Sequence, residues 1–369
     1  MMRYDVAVLG GGIIGCALAE ELARHGVRVA LIERGRIGAE ASAAAAGILS
    51  SQVDLASPGP LFELCQAARR MYPRWVEQVQ RRSGMSVGYH VDGIVSLVLS
   101  AREERAMDRQ ARWQRRVGLR VERWSAKTVR RHEPAIDGRV RCGFLFPTEP
   151  QVDNAILMRA LALACRKAGV TVREGVSARR LLLRARAVSG VELDHGGSIE
   201  AKTVVNCLGS WAAMGGAFPV PLPVEPARGQ ILVFQGPRRL FRHAVMSGRG
   251  YVVQRRDGRL LVGSTVERVG FDKSLTFDGM HTILSGLRSL TSAMNACALV
   301  ESWAGLRPRT PDQLPILGAT AIEGLHVATG HFRHGILLAP ITAHLMAQLI
   351  LRGRSAHDLS PFSASRFQK

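Results

Sequence analysis

Tyr4-Asp5-Val6-Ala7-Val8-Leu9-Gly10-Gly11-Gly12-Ile13-Ile14-Gly15 reads as an apolar strand that runs into a glycine turn and on into a helix. Gly10 allows the tight turn, Gly12 lets the backbone approach a pyrophosphate, and Gly15 lets the helix lie close to the strand. The helix predicted over residues 13–25 points its N-terminal amides and the positive end of its dipole at phosphate oxygens. A second apolar run, Val27-Arg28-Val29-Ala30-Leu31-Ile32, ends at Glu33, about twenty residues past the glycines, where a carboxylate can accept both hydroxyls of a ribose. A bare glycine turn is a weak signal. Strand, helix and acidic residue each in place make it a site for an adenine dinucleotide, FAD or NAD.

Around this unit the chain has 369 residues, too many for one simple core and suited to two domains. A hydrophobic content of 47% with few low-complexity stretches predicts a soluble globular protein. Cys16, Cys65, Cys142, Cys165, Cys207 and Cys297 are scattered, with no CxxC pair and no histidines at zinc spacing. They read as buried thiols in a reducing compartment, and no metal site is expected. The apolar N-terminus is the nucleotide strand and helix, interrupted by Glu20-Glu21, and does not read as a signal peptide. Residues 336–351 contain Pro340, His344 and Gln348 and read as a core-facing helix, short of a membrane span. The expected location is the cytoplasm. The net charge is +20, and lysine occurs only at Lys127, Lys167, Lys202, Lys273 and Lys369. The densest basic region, residues 102–131, intersperses Glu103, Glu104, Asp108 and Glu122. It reads as solvated helix faces, and nucleic acid is not the expected partner.

Further along, Ala41-Ser42-Ala43-Ala44-Ala45-Ala46-Gly47-Ile48-Leu49 can let backbone hug a flat ligand or start an alanine-rich helix; by residue type alone the helix is favoured. A helix follows over 61–83, then a strand over 93–99, a charged helix to about 117 and a short helix from Ser125, together a separate lobe. An amphipathic helix spans 153–168, with strands near 170–173 and 188–193. The buried strand Thr203-Val204-Val205-Asn206-Cys207-Leu208-Gly209 returns to the nucleotide domain. Pro219, Pro221, Pro223 and Pro226 lead out again into strands at 230–234, 251–254 and 259–263, alternating as in an antiparallel sheet. Residues 324–330 form another strand into a glycine turn, and a long helix closes the chain. The nucleotide domain is thus discontinuous, 1–83, 142–217 and 302–369, with 84–141 and 218–301 forming the substrate lobe.

Four stretches carry a resemblance: residues 42–49; Tyr251-Val252-Val253 with Gly263-Ser264-Thr265; Trp303-Ala304-Gly305-Leu306-Arg307-Pro308-Arg309-Thr310-Pro311-Asp312; and Gly330-His331-Phe332-Arg333-His334-Gly335-Ile336-Leu337-Leu338-Ala339-Pro340. With the N-terminal fingerprint they resemble flavoproteins of the D-amino acid oxidase superfamily, and within it the glycine oxidase family that serves the thiazole of thiamine. The resemblance covers nearly the whole chain and matches residues 84–141 only loosely. It implies an α/β fold: a Rossmann-like FAD-binding domain of glutathione-reductase type with a smaller α+β substrate domain on an antiparallel sheet. It implies that Ile13, Ile14, Glu33, Arg34, Ala41, Ser42, Ala46, Gly47 and Ile48 join the fingerprint glycines and Gly209 around FAD, with Ala178 on the adenine side. His331, Phe332, Arg333, His334, Gly335, Ile336 and Leu337 would lie along the isoalloxazine, with the final helix dipole over its pyrimidine end. Arg307 matches the arginine that binds the substrate carboxylate and Tyr251 the tyrosine that assists it. Arg333 either joins them or binds a backbone carbonyl near the flavin. His331 and His334 are read as spacers and backbone donors.

Two departures from the pattern bear on the pocket. Val266 stands where some relatives line it with methionine. Gly305 stands where sarcosine-oxidase-like relatives carry a flavin-bonding cysteine, so the FAD is expected to be non-covalent. The implied activity is oxidative deamination of glycine, sarcosine or small D-amino acids by O2, releasing ammonia and H2O2, in a homo-oligomer that is tetrameric by resemblance. Three alternatives remain at this stage: a D-amino acid or D-proline-type dehydrogenase passing electrons to a quinone or partner, a tRNA-modifying flavin oxidase prompted by the basic charge, and a flavin-binding scaffold, against which Arg307 and Tyr251 argue.

Overall fold

In the computed structural model the chain is described over residues 3–213, 220–237 and 239–367. It begins with β1 (Arg3–Leu9), α1 (Ile13–Arg24) and β2 (Val29–Glu33), the two strands parallel with Val6 opposite Val29. A four-residue α2 (Ala41–Ala44) and the long α3 (Pro60–Ser83) follow. The chain then leaves for β3 (Ile94–Val98), α4 (Ala101–Arg116), β4 (Glu122–Ser125), α5 (Ala126–His132) and β5 (Cys142–Phe146). It returns through α6 (Asn154–Lys167), β6 (Thr171–Glu174), β7 (Ala178–Arg184), β8 (Ala187–Leu193) and β9 (Ser198–Asn206). A second excursion adds β10 (Glu225–Gln235), β11 (Ala244–Ser247), β12 (Gly250–Gln254), β13 (Arg259–Gly263), α7 (Phe277–Arg288) and β14 (Ala298–Arg309). The last return is β15 (Ile316–Ala319), β16 (Leu325–Thr329) and α8 (Gly335–Arg352).

Among the described residues these strands make two sheets. The first runs β15-β16-β9-β1-β2-β6, parallel from β16 to β6, with β7 and β8 added as an antiparallel meander on β9. The second runs β14-β10-β13-β12-β11-β3-β5-β4 and is antiparallel except where β11 meets β3. This matches the expected α/β architecture with a second, antiparallel lobe inserted twice. Strand pairing moves the boundaries, however. β5 pairs with β3 and β4, and β14 pairs along its whole length with β10, so the edges expected at 142 and 302 fall after Phe146 and after Arg309 instead. Strand periodicity does not announce which sheet a strand joins; the ladder partner decides it. The expected edge at 217 and Pro219 lie outside the described residues.

Helix α1 shows why the glycine unit is stable. Ile13, Leu18 and Leu22 are buried against the parallel sheet and α8, about 1.5–3 kcal/mol for each such side chain. Glu20 sits on the same buried face, where Arg82 of α3 pairs with it at 2.5 Å. By length and composition α8 would pass for a membrane span, yet 61% of it is buried inside the fold, packed on α1 and α3. α4 starts where Ser100 and Glu103 form a capping box, and its arginines 102, 105, 109, 112 and 116 are all exposed.

Candidate functional site

A long cavity lies between the two lobes, and its walls begin at the glycine turn. Gly10 has φ +101°, and a Cβ there would come 2.5 Å from the Cys207 carbonyl oxygen. A Cβ at Gly15 would come 1.9 Å from the Gly10 carbonyl oxygen, so the helix can approach the strand only without side chains. Gly12 occupies the N-cap of α1 and offers no side chain; Ser42 Oγ accepts the Ile13 N–H instead, at 2.9 Å. The Glu33 carboxylate accepts N–H groups from Gly11 at 2.7 Å and Gly35 at 2.8 Å, which orients it at the edge of the turn. Beside it, the Arg34 guanidinium lies 3.8 Å over the Trp211 ring and pairs with Glu40 at 3.0 Å.

The alanine tract starts a helix, as its residue types favour, and then leaves it. Only residues 41–44 are helical, while Ala44, Ala45, Ala46, Gly47 and Ile48 line the cavity. The reason is a clamp from outside the tract. Buried Arg255 donates to the carbonyls of Val152 at 2.8 Å and Ala46 at 2.9 Å, and Asn154 Nδ2 donates to those of Ser42 and Ala43, both at 2.8 Å. Gly47, at φ +70°, would put a Cβ 2.0 Å from the Val152 carbonyl oxygen. Helix propensity is worth tenths of a kcal/mol per residue and loses to these tertiary bonds.

The other half of the cavity rests on the second sheet. Tyr251 on β12 stands opposite Gly263 of β13, and Arg307 on β14 stands opposite Ala227 of β10. Arg307 donates from Nη2 to Ser264 Oγ at 2.7 Å and from Nη1 to the Thr265 carbonyl at 3.2 Å. Its guanidinium lies across bare strand: a Cβ on Gly229 would fall 2.1 Å from Arg307 Nη1. Among the described residues no carboxylate pairs with Arg307, although it faces the cavity. Burial pushes its pKa down, with Tyr251 beside it opposing, and burial pushes the Tyr251 phenol up against the pull of Arg307. A partly buried cation with no carboxylate partner among the described residues is a place for an anionic group.

The third wall is the turn from β16 into α8. Gly330 has φ +73° and Phe332 φ +46°, and the Phe332 N–H donates to the Pro308 carbonyl at 3.0 Å, which ties this turn to the Arg307 strand. His331 is 3% exposed and bonded to Thr342 at 3.1 Å; burial, then His334, hold its pKa down at about 3. His334, the N-cap of α8, is held low by burial as well. Both are therefore neutral near pH 7. Arg333 is half-exposed, 3.9 Å from Asp54. Among the described residues it makes no hydrogen bond to a backbone carbonyl.

The cavity thus brings together Gly10, Gly12, Ile13, Ile14, Glu33, Arg34, Ala41, Ser42, Ala46, Gly47, Ile48, Gly209, Tyr251, Arg307, His331, Phe332, Arg333, Gly335 and Ile336. Gly15, His334 and Leu337 stand behind its wall, Leu337 in the core at 1% exposure. Ala178 is not brought in: it opens β7 in register with Leu193 and does not line the cavity. Trp211, Gly229, Ser264 and Asp54 line it without having been anticipated. Gly229 enters on β10 and Ser264 just past β13, whereas Trp211 comes from the turn after β9 and Asp54 from the loop before α3.

The FAD dependent oxidoreductase family (DAO) matches residues 5–349. The chain belongs to this family. This FAD dependent oxidoreductase is 34% identical over 368 residues to the glycine oxidase of Geobacillus kaustophilus, covering 99% of this chain and 97% of that one. The crystal structure of glycine oxidase from the same organism superposes with a TM-score of 0.95 at 33% identity, covering 99% of each chain. The bifunctional protein ThiO/ThiG of Trichormus variabilis is 35% identical over 373 residues, which cover all of this chain but 56% of that protein. The chain therefore spans about half the length of these bifunctional relatives. The cavity fits the family's cofactor: the glycine cradle, which any Cβ at Gly10 would fill, and Glu33 suit the ADP half, and the 42–48 backbone with the α8 N-terminus suits a flat ring system.

Proposed function

We propose that this oxidoreductase deaminates a small amino acid, glycine first, with O2 as acceptor, yielding the imine or 2-oxo acid, ammonia and H2O2. Arg307 carries this reading: a guanidinium facing the cavity, paired with no carboxylate among the described residues and held by Ser264 and Thr265, suits an incoming carboxylate. Identity to a glycine oxidase over almost the full length supports the same substrate class, and the bifunctional ThiO/ThiG relatives support a role in making the thiazole of thiamine.

In this reading Arg307 takes the carboxylate in a two-pronged grip, and the Tyr251 hydroxyl, kept protonated by burial, donates to the same oxygens. That grip fixes which face of the Cα–H bond is presented. The amine is oxidised in its neutral form, and neutral His331 and His334 add no charge beside it. The α8 N-terminus favours negative charge at the far end of the cavity. FAD, when bound, supplies the two-electron oxidation and passes the electrons to O2. Gly305 offers no nucleophile, and a Cβ there would come 2.6 Å from Ala44 Cβ, which argues for non-covalent attachment. We also infer a cytoplasmic homo-oligomer, a tetramer by family resemblance, to be checked by light scattering.

The test is anaerobic bleaching of the flavin by glycine, sarcosine, D-alanine, D-proline and methylamine, followed by air. Bleaching by the first amino acids, little by methylamine, and prompt recovery with H2O2 are expected. No bleaching by any carboxylate-bearing amine sinks the reading, and bleaching without recovery in air makes the protein a dehydrogenase.

A further inference from the structure

The chain between β13 and α7 does work that its irregular backbone does not suggest. It starts at the site: Ser264 and Thr265 hold Arg307, and Thr265 Oγ1 accepts the Gln230 N–H at 3.0 Å. Next comes an inner anchor. Arg228 of β10 is 3% exposed, and its guanidinium is taken by Glu267 and, at 2.5 Å, by Asp272. The backbones of Arg228 and Glu267 also exchange two hydrogen bonds of 2.9 Å. Because a buried guanidinium must keep its partners, both carboxylates are pinned to one point, and the residues between them are forced outward. Val269 and Phe271 are accordingly 41% and 42% exposed.

The outward tip touches the other lobe. The Phe271 ring lies 5.4 Å from Trp211, and Lys273 Nζ lies 3.1 Å from Glu40. Trp211, Glu40 and Arg34 form one group, since Arg34 both covers Trp211 and pairs with Glu40. All three line the cavity beside Glu33, the residue that marks the ribose of the ADP half. At its far end the segment is tied down again, with Gln230 Nε2 donating to Thr276 Oγ1 at 3.0 Å.

We propose that residues 264–276 form a strap across the dinucleotide cavity, anchored on Arg228 and latched at Phe271 and Lys273, that retains the adenylyl half of FAD. The two ends differ in strength. The anchor is a buried guanidinium between two carboxylates, whereas the latch is one exposed aromatic pair and one exposed ion pair. The latch therefore releases while the anchor and Arg307 stay in place, which gives the dinucleotide a way out that leaves the substrate end intact. The strap stands on the family's cofactor and is independent of which amine is oxidised.

The decisive variant is Phe271→Ala with Lys273→Ala, read by the rate at which free-flavin fluorescence appears after dilution of the holoenzyme. FAD should leave about tenfold faster, the sum of two weak surface contacts. Affinity of the apoprotein for FMN, which has no adenylyl half, should be unchanged. An unchanged FAD off-rate overturns the strap, and so does an equal loss of FMN affinity. Should the double variant not fold, Lys273→Met alone must still speed FAD release measurably, and failure to do so is equally decisive.

Discussion

The two ends of the cavity are built by different means. At the ADP end, Gly10, Gly12, Ile13 and Glu33 come from one stretch of thirty-odd residues, roughly the size of a βαβ unit, and act through backbone and close packing. At the substrate end, Tyr251 on β12, Ser264 just past β13 and Arg307 on β14 act through side chains, and Gly229 on β10 acts by having none. The first end is a property of local sequence and tolerates whatever lies beyond it. The second exists only in one register of β10, β12, β13 and β14, because a slip by one residue would turn Arg307 to the opposite face.

If the ends are separable, removing the substrate cation should abolish oxidation and spare the cofactor. Arg307→Ala is expected to lower kcat/KM by about 10²–10⁴, the equivalent of roughly 3–5 kcal/mol, with FAD still bound. Arg307→Lys should recover only part of this, because an ammonium cannot form the two-pronged grip. Near-normal turnover in a yellow, folded Arg307→Ala protein would put the carboxylate site elsewhere.

Glu149 tests whether the wall joining the two ends is itself sensitive to protons. It is 1% exposed and accepts from the Ser51 N–H at 2.6 Å, the Ser51 hydroxyl at 2.7 Å and the Gln52 N–H at 3.3 Å. Burial raises its pKa from 4.5 to about 7, opposed by those bonds and by Arg69. The folded state thus holds its proton more tightly than the unfolded state does. The contribution of this carboxyl to stability should fall as pH rises from 4.5 to about 7 and then level off, by about 3 kcal/mol in all. Denaturant midpoints of wild type and Glu149→Gln across that window measure it; parallel curves would show that Glu149 does not titrate there.

Gly229→Ala sharpens the register argument. Its Cβ would fall 2.1 Å from Arg307 Nη1, so the guanidinium must move, at an expected cost of about 1–3 kcal/mol in substrate binding. The loss should appear in KM and leave the FAD spectrum and affinity alone; an unchanged KM would mean that Arg307 binds substrate from another position. The smallest effect belongs to Tyr251→Phe. Removing one hydroxyl should cost about 1–2 kcal/mol in kcat/KM, and a loss as large as that of Arg307→Ala would give Tyr251 more than an assisting role.

Sequence alone was enough for the glycine cradle and Glu33, because they rest on a local pattern, whereas Arg307 and Tyr251, on different strands, were implied only by the family resemblance. It erred where distant groups overrule local preference. Residue type favours an alanine-rich helix start at residues 41–49; the helix does start at Ala41 but stops at Ala44, where Arg255 and Asn154, more than a hundred residues away in the chain, hold the tract's carbonyls. Ala178 looked like a cofactor contact, but its pairing with Leu193 carries it away from the cavity. Arg228, Gly229 and the strap of residues 264–276 carry no pattern of their own. Their roles follow from which strand lies beside which, and burial of a charge makes that arrangement binding: once Arg228 is enclosed, Glu267 and Asp272 must come to it, and the chain between them must face outward.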